Sequence, residues 1–461
     1  MKHRLLVINV VGLTPGLLKY TPRIADVAKS GFSAPMDAIC PAVTCSAQAT
    51  MLTGKMPVDH GIVGNGWYFR DLAEVLFWRQ PNQFVTADKV WHTGRKRFGD
   101  AFTTAKMFWW YNMYAGVEHA ATPRPVYPAD GRKILGIRTD PAEFKDTLEE
   151  RLGPFPFFNF WGPKAGIESS AWIAESTRLV IEQEQPQLAL CYLPHLDYDL
   201  QRFGVNAPTT EKACRAIDRV AGELIDFAKG KGYQIMVVSE YGITDAGRPV
   251  HLNRILREAG YLKTRLFSTG WEIIDNGECE AMSVADHQIA HVYVKRPENI
   301  AKVKALLEKV DGVERVLDEA GKAELGLNHE RAGELVVIAE PDAWFTYYYW
   351  FDEKRRPDYA TSVDIHRKPG YDPVELFVDP EITAPVVKVA WTLLKKKLGF
   401  RYYMDVISTD ASLVKGSHGR LPDRDEDGPV FLSSSKIGEC DRMPMTGVHD
   451  LILDTIGGGP A

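Results

Sequence analysis

Thr44 stands where a hydroxyl can meet an anion. It falls between an expected strand (37–43) and an expected helix of small residues (46–52). The first turn of a helix leaves backbone N–H groups unpaired at the positive end of its dipole, which attracts negative charge. Read alone, such a threonine is simply a helix N-cap. Further along, acids and imidazoles gather in H-L-D (195–197), S-E-Y-G (239–242), A-D-H-Q-I-A-H (285–291), D-I-H-R-K-P-G (364–370) and G-S-H-G (416–419). In an extended segment side chains two apart share a side, which pairs Asp364 with His366 and His195 with Asp197. The 364–370 stretch also reads as a turn carrying a surface histidine. Asp286, His287 and His291 read as structural residues, and His251 as a loop-to-helix packing residue.

These residues need a frame to hold them. Apolar runs of strand length alternate with helical patterns: 5–11 before a helix near 23–30, 187–193 before 210–229, and 234–238 before 252–259. Continuous apolar strands separated by helices indicate an α/β fold with a mostly parallel sheet covered on both faces. Sites in such sheets collect at the carboxyl ends of the strands, where Val11, Thr44, Asp197 and Glu240 all fall. A small α+β unit is expected at 279–341, inserted into a core made of 1–278 and 342–461. Its order is strand 289–294, helix 298–309, strand 313–317, helix 320–325 and strand 334–339.

T-G-K-M-P-V-D-H-G-I-V-G-N (53–65), placed just after Thr44, resembles the alkaline phosphatase superfamily, specifically its type I phosphodiesterase/nucleotide pyrophosphatase branch. G-S-H-G-R at 416–420 most resembles the phosphonoacetate hydrolase subgroup. The resemblance implies an alkaline phosphatase-like core, Thr44 as nucleophile and Asn65 as a phosphate-oxygen ligand. It also implies one or two divalent ions, zinc or alternatively manganese, that activate the hydroxyl and clamp the phosphoryl oxygens. Asp197 and His418 match ligand positions. Val11, Gln201, Glu240 and Tyr241 stand where the family carries Asp, His, Asp and His. A valine cannot ligate, Gln is a poor zinc ligand, and Glu240 can ligate with a longer reach. A rearranged set of Asp197, Glu240, Asp364, His366 and His418 is the expected metal site. Cys45 (through its N–H), Trp67 and Tyr241 are expected at the substrate.

The implied activity is metal-assisted hydrolysis of a phosphate ester or diester. The replaced ligands keep two other readings open: single-metal or altered phosphoryl or phosphonate chemistry, and a binding protein without turnover. The expected ligand is a small phosphorylated molecule, with Lys55, Arg124, Arg202 and Lys368 as candidate anion holders. Aromatic stretches at 108–114, 155–161 and 344–351 read as core or as a wall for a ring-bearing group. A net charge of −6 argues against a nucleic-acid polymer as partner. Six scattered cysteines read as reduced core residues, and the short apolar N-terminal run reads as a strand rather than a signal peptide. A cytoplasmic protein with no membrane span is therefore expected, with an oligomer possible.

Overall fold

The computed structural model describes residues 1–129, 133–438 and 440–459. Along the chain, β1 (Arg4–Val10), β2 (Phe32–Asp37), β3 (Thr104–Met107), β4 (His119–Pro123), β5 (Ile137–Asp140), β6 (Leu188–Leu193) and β7 (Tyr233–Val238) join one sheet. Four strands then form a second sheet: β8 (Ala281–Asp286), β9 (Ile289–Val294), β10 (Val313–Leu317) and β11 (Leu335–Ala339). Finally β12 (Val430–Ser433) and β13 (Met443–Pro444) return to the first, whose order is β13-β2-β12-β7-β1-β6-β3-β4-β5. Its centre is parallel, with β1 between β6 and β7 and β3 beside β6. Antiparallel pairing is confined to β12 against β7 and β2, and to β5 on β4.

The centre is built from sequence that can only be interior. Every residue of β6 is buried, as are Leu5 through Val10 of β1, so alternate side chains on both sheet faces are covered. Helices α1 (Thr44–Thr53), α2 (Ile167–Glu184), α3 (His195–Phe203) and α4 (Thr210–Gly230) supply part of that cover. In α4 the buried Ala213, Ile217, Val220, Leu224 and Ala228 recur at three- and four-residue steps, and the helix packs on α2 and β7.

Three local expectations shift. The strand before Thr44 lies at Phe32–Asp37, and 38–43 is irregular; Pro41 lacks the N–H that a ladder needs. The helix near 23–30 is one α turn, Pro22–Ala25, continuing as a 3-10 segment to Ser30. The second sheet gains β8, which sequence reading did not foresee; its order is β8-β9-β11-β10, all antiparallel, with α5 (Pro297–Leu307) and α6 (Glu319–Glu324) between its strands. The aromatic stretches at 108–114 and 344–351 are largely interior, with Trp109, Tyr347, Tyr348, Tyr349 and Trp350 fully buried, whereas 155–161 is mostly half-buried with Phe158 exposed.

Candidate active site

α1 is buried along its whole length, which its small side chains permit, and it ends at Gly54 with φ +67°. Val43 is its N-cap, so Thr44 is the first helical residue rather than the cap. The Thr44 hydroxyl lies 3.1 Å from the Tyr241 hydroxyl, which in turn donates to Asp197 Oδ1 at 3.2 Å. These three come from the helix after β2 and from the ends of β7 and β6.

Asp197 lies on α3, and its i+4 neighbour Gln201 donates to Asp197 Oδ2 at 2.8 Å. Because the helix begins at His195, residues 195 and 197 point apart, and the expected His195–Asp197 pairing is lost. Burial pushes the Asp197 carboxyl up to about 7, against the lowering hydrogen bonds from Gln201 and Tyr241. His418 donates from Nδ1 to the Ala42 carbonyl at 2.9 Å, leaving Nε2 3.6 Å from Asp197 Oδ1 and without a hydrogen-bond partner.

Glu240 is clamped by two amides. Asn9 Nδ2 at 2.5 Å and Gln48 Nε2 at 2.6 Å both donate to its Oε1, while Oε2 is buried and unpartnered. Burial raises this carboxyl to about 8, opposed by the hydrogen bonds from Gln48 and Asn9. Because an unfolded glutamate titrates near 4, the native chain binds more protons than the unfolded chain between about pH 4 and 8. Its contribution to stability is thus complete below about pH 4 and is lost as pH rises through about 8. Thermal melts in chelator should show a lower midpoint near pH 8.5 than near pH 5. Glu240→Gln, which keeps both amide contacts, should flatten the upper part of that decline; an unchanged slope would contradict the assignment.

The second sheet enters the site through the tip of the β8–β9 hairpin. Asp286 accepts from the Asn65 backbone N–H at 2.8 Å, from Asn65 Nδ2 at 3.1 Å, and from His287 Nδ1 at 2.8 Å. Asn65 Oδ1 in turn accepts from the Cys45 N–H at 3.0 Å, so that N–H is engaged within the chain. His287 turns the hairpin at φ +64°, a left-handed conformation few non-glycine residues adopt. The rings of Tyr241, His418, His287 and Tyr371 form one column, with successive centroids 3.6, 3.7 and 3.6 Å apart. Tyr371 also donates to Gln201 Oε1 at 3.2 Å. Asp286, His287 and Tyr371 are the residues that sequence reasoning missed. The A-D-H tripeptide was visible, but its placement at a hairpin tip was not. Asp286→Ala should leave three buried donors unpaired, two on Asn65 and one on His287, at a cost of about 1–3 kcal/mol each in urea unfolding.

The remaining candidates lie outside this cluster. Residues 364–370 form turns and bends rather than an extended segment, because Asp364 opens a turn closed by Arg367 N–H on its carbonyl. Asp364 pairs with Arg367 at 2.8 Å, and His366 sits edge-on to Tyr127. Trp67 is buried, stacked on Phe69 with Arg331 over its ring. Lys368 is held by Asp372 and Glu375, and Arg202 by Asp199 and the backbone carbonyls of Ala165 and Gly162.

The two-ion set of the resembling family does not fit these residues. At the first position Val11 has no donor, Tyr241 directs its hydroxyl to Asp197, and one oxygen of Glu240 already accepts from two amides. At the second, Gln201 uses its amide on Asp197 and Tyr371, leaving Asp197 and His418. Among the described residues no group of three or more His, Cys, Asp or Glu side chains could hold a metal ion.

A parallel-centred sheet with the Thr44 helix at its carboxyl edge and a second small sheet closing over it is the alkaline phosphatase-like architecture. Solved structures share it. Phosphonoacetate hydrolase from Sinorhizobium meliloti, in complex with phosphonoformate, matches with a TM-score of 0.63 at 14% identity, over 98% of this chain and 96% of that one. Murine ectonucleotide pyrophosphatase/phosphodiesterase 5 matches with a TM-score of 0.58 at 14% identity, over 98% and 95%. The family model for type I phosphodiesterase / nucleotide pyrophosphatase covers residues 5–372, and the chain belongs to this family of phosphoric ester hydrolases. An uncharacterized pyrophosphatase/phosphodiesterase of Schizosaccharomyces pombe is 24% identical over 249 residues, 53% of this chain. That match spans 43% of the yeast protein's length.

Proposed function

We propose that this chain hydrolyses a small phosphoric ester through Thr44, with the proton leaving by way of Tyr241 and Asp197. The observation that carries the reading is the unbroken hydrogen-bond path from Thr44 Oγ1 through the Tyr241 hydroxyl to Asp197 Oδ1. Thr44 Oγ1 attacks phosphorus in line, the bond to the leaving oxygen breaks, and the Thr44 proton passes to Tyr241 as the Tyr241 proton passes to Asp197. The N-terminal turn of α1 faces the equatorial oxygens. Asn65, fixed by Cys45 and Asp286, is its neighbour. The first leaving oxygen takes a proton from solvent; water then attacks phosphorus, the bond to Thr44 Oγ1 breaks, Asp197 returns its proton through Tyr241 to Thr44, and the water's proton passes to solvent. Burial sets Asp197 near neutrality, where a general base works best. Because the two-ion ligand set is incomplete, no step of this scheme runs through a metal.

Acid-quenched turnover of bis(p-nitrophenyl) phosphate followed by peptide mass spectrometry tests the scheme. One phosphoryl group on the peptide bearing Thr44 is the expected result. Turnover with Thr44 never modified overturns it. The closing of the first ion position by Asn9, Gln48 and Tyr241 favours one second reading, a protein that binds a phosphorylated ligand without turning it over. Calorimetric binding of a nucleoside monophosphate combined with no hydrolysis of bis(p-nitrophenyl) phosphate or p-nitrophenyl phosphate would favour that reading.

A further inference from the structure

A surface helix ordinarily turns its apolar stripe inward. The helix α7 (Pro385–Lys397) does the reverse. Thr392 is its only buried residue, so that side faces the protein. Val387, Trp391, Leu394 and, just past the helix end, Leu398 recur at three- and four-residue steps, within about 60° of arc. They point to solvent with 67%, 56%, 43% and 63% of their surfaces exposed. Phe400 follows, also exposed.

A second exposed apolar patch lies on a neighbouring element. The hairpin of Thr264–Leu266 and Glu272–Ile274 carries exposed Leu266, Phe267 and Trp271 at its tip. Trp271 and Tyr403 line one cleft, and Tyr403 and Trp391 line the next. Glu353, Lys354, Arg356, Asp358 and Asp405 share these clefts, so two exposed apolar patches flank a charged strip of mixed sign; apolar patches rimmed by polar residues mark an interaction site.

Charge identifies the occupant. Residues 385–401 contain Lys388, Lys395, Lys396, Lys397 and Arg401 and no acid, in a chain whose net charge is −6. Lys388 pairs with Asp405, but among the described residues no carboxylate pairs with the other four. Lys395 and Lys396 lie against the rings of Trp391 and Tyr402. A two-fold contact would set this basic cluster against itself, whereas an anionic surface neutralises it. Apolar side chains flanked by lysines, with Trp, Tyr and Phe among them, match a helix lying flat in a membrane interface. No helix among the described residues is long and apolar enough to cross a membrane, so the contact is lateral.

We propose that α7 and the adjoining 264–274 hairpin dock this protein on an anionic lipid bilayer, apolar stripe inward and lysines at the headgroup phosphates. Co-sedimentation of the full chain with phosphatidylcholine vesicles, with and without about one-third phosphatidylserine, tests it. The expected result is retention by the anionic vesicles alone, weakened by salt. Each neutralised lysine among 395–397 should lower the partition coefficient about fivefold. Leu394→Glu should abolish retention while leaving thermal unfolding and phosphodiester turnover unchanged, because Leu394 supports neither core nor site. Three outcomes overturn the proposal: no retention on anionic vesicles, retention indifferent to Leu394→Glu, or a dimer in sedimentation equilibrium that Leu394→Glu dissolves without any vesicle binding.

Discussion

Thr44→Ala is expected to lower turnover of bis(p-nitrophenyl) phosphate at least about 10³-fold, the scale on which removal of a nucleophile acts. The change deletes one hydroxyl whose hydrogen-bond partner is Tyr241. Val43 rather than Thr44 caps α1, so the helix start is untouched. The stability cost is that of one buried hydrogen bond, about 1 kcal/mol. Thr44→Ser should retain part of the activity, because it keeps the oxygen. Full activity in the alanine variant, with its melting transition intact, would remove Thr44 from the reaction.

Tyr241→Phe should cost about 10²–10⁴ in kcat, the range general-base catalysis spans. This residue stands where the family pattern carries a histidine, and in this chain it bridges Thr44 and Asp197. Its ring lies 3.6 Å from His418 at 7° between planes, and phenylalanine keeps that stack. The variant therefore separates the proton path from the packing. In the native chain the rate should rise as pH rises through about 7, because Asp197 must be deprotonated to accept a proton. In the variant that rise should vanish. A variant that loses rate but retains the same pH profile would show that Asp197 receives no proton through Tyr241.

The main sheet was legible because parallel strands buried on both faces write themselves as unbroken apolar runs, as in Leu5–Val10 and Leu188–Leu193. The Thr44–Asn65 segment was legible through its motif, and Asp197 with Gln201 through the ligand order of the resembling family, while the helix that joins them was read as extended chain. Three things were not. Asp364 and His366 looked like a facing pair because two-residue spacing means one side only in extended chain, and this stretch turns. Asp286 and His287 look ordinary in sequence, since a hairpin tip acquires meaning only from what it touches in space. And α7 drew no reading from the sequence, because a stripe of apolar residues does not say whether it faces the core or the solvent.

The four-ring column has a mechanical consequence. Two of its members, Tyr241 and His418, are rooted in the segments following β7 and the short Gly416–Ser417 strand, while His287 is rooted in the smaller sheet. The smaller sheet cannot swing away from the larger one without peeling flat faces apart and releasing the Asp286 grip on Asn65. It behaves as masonry rather than as a door.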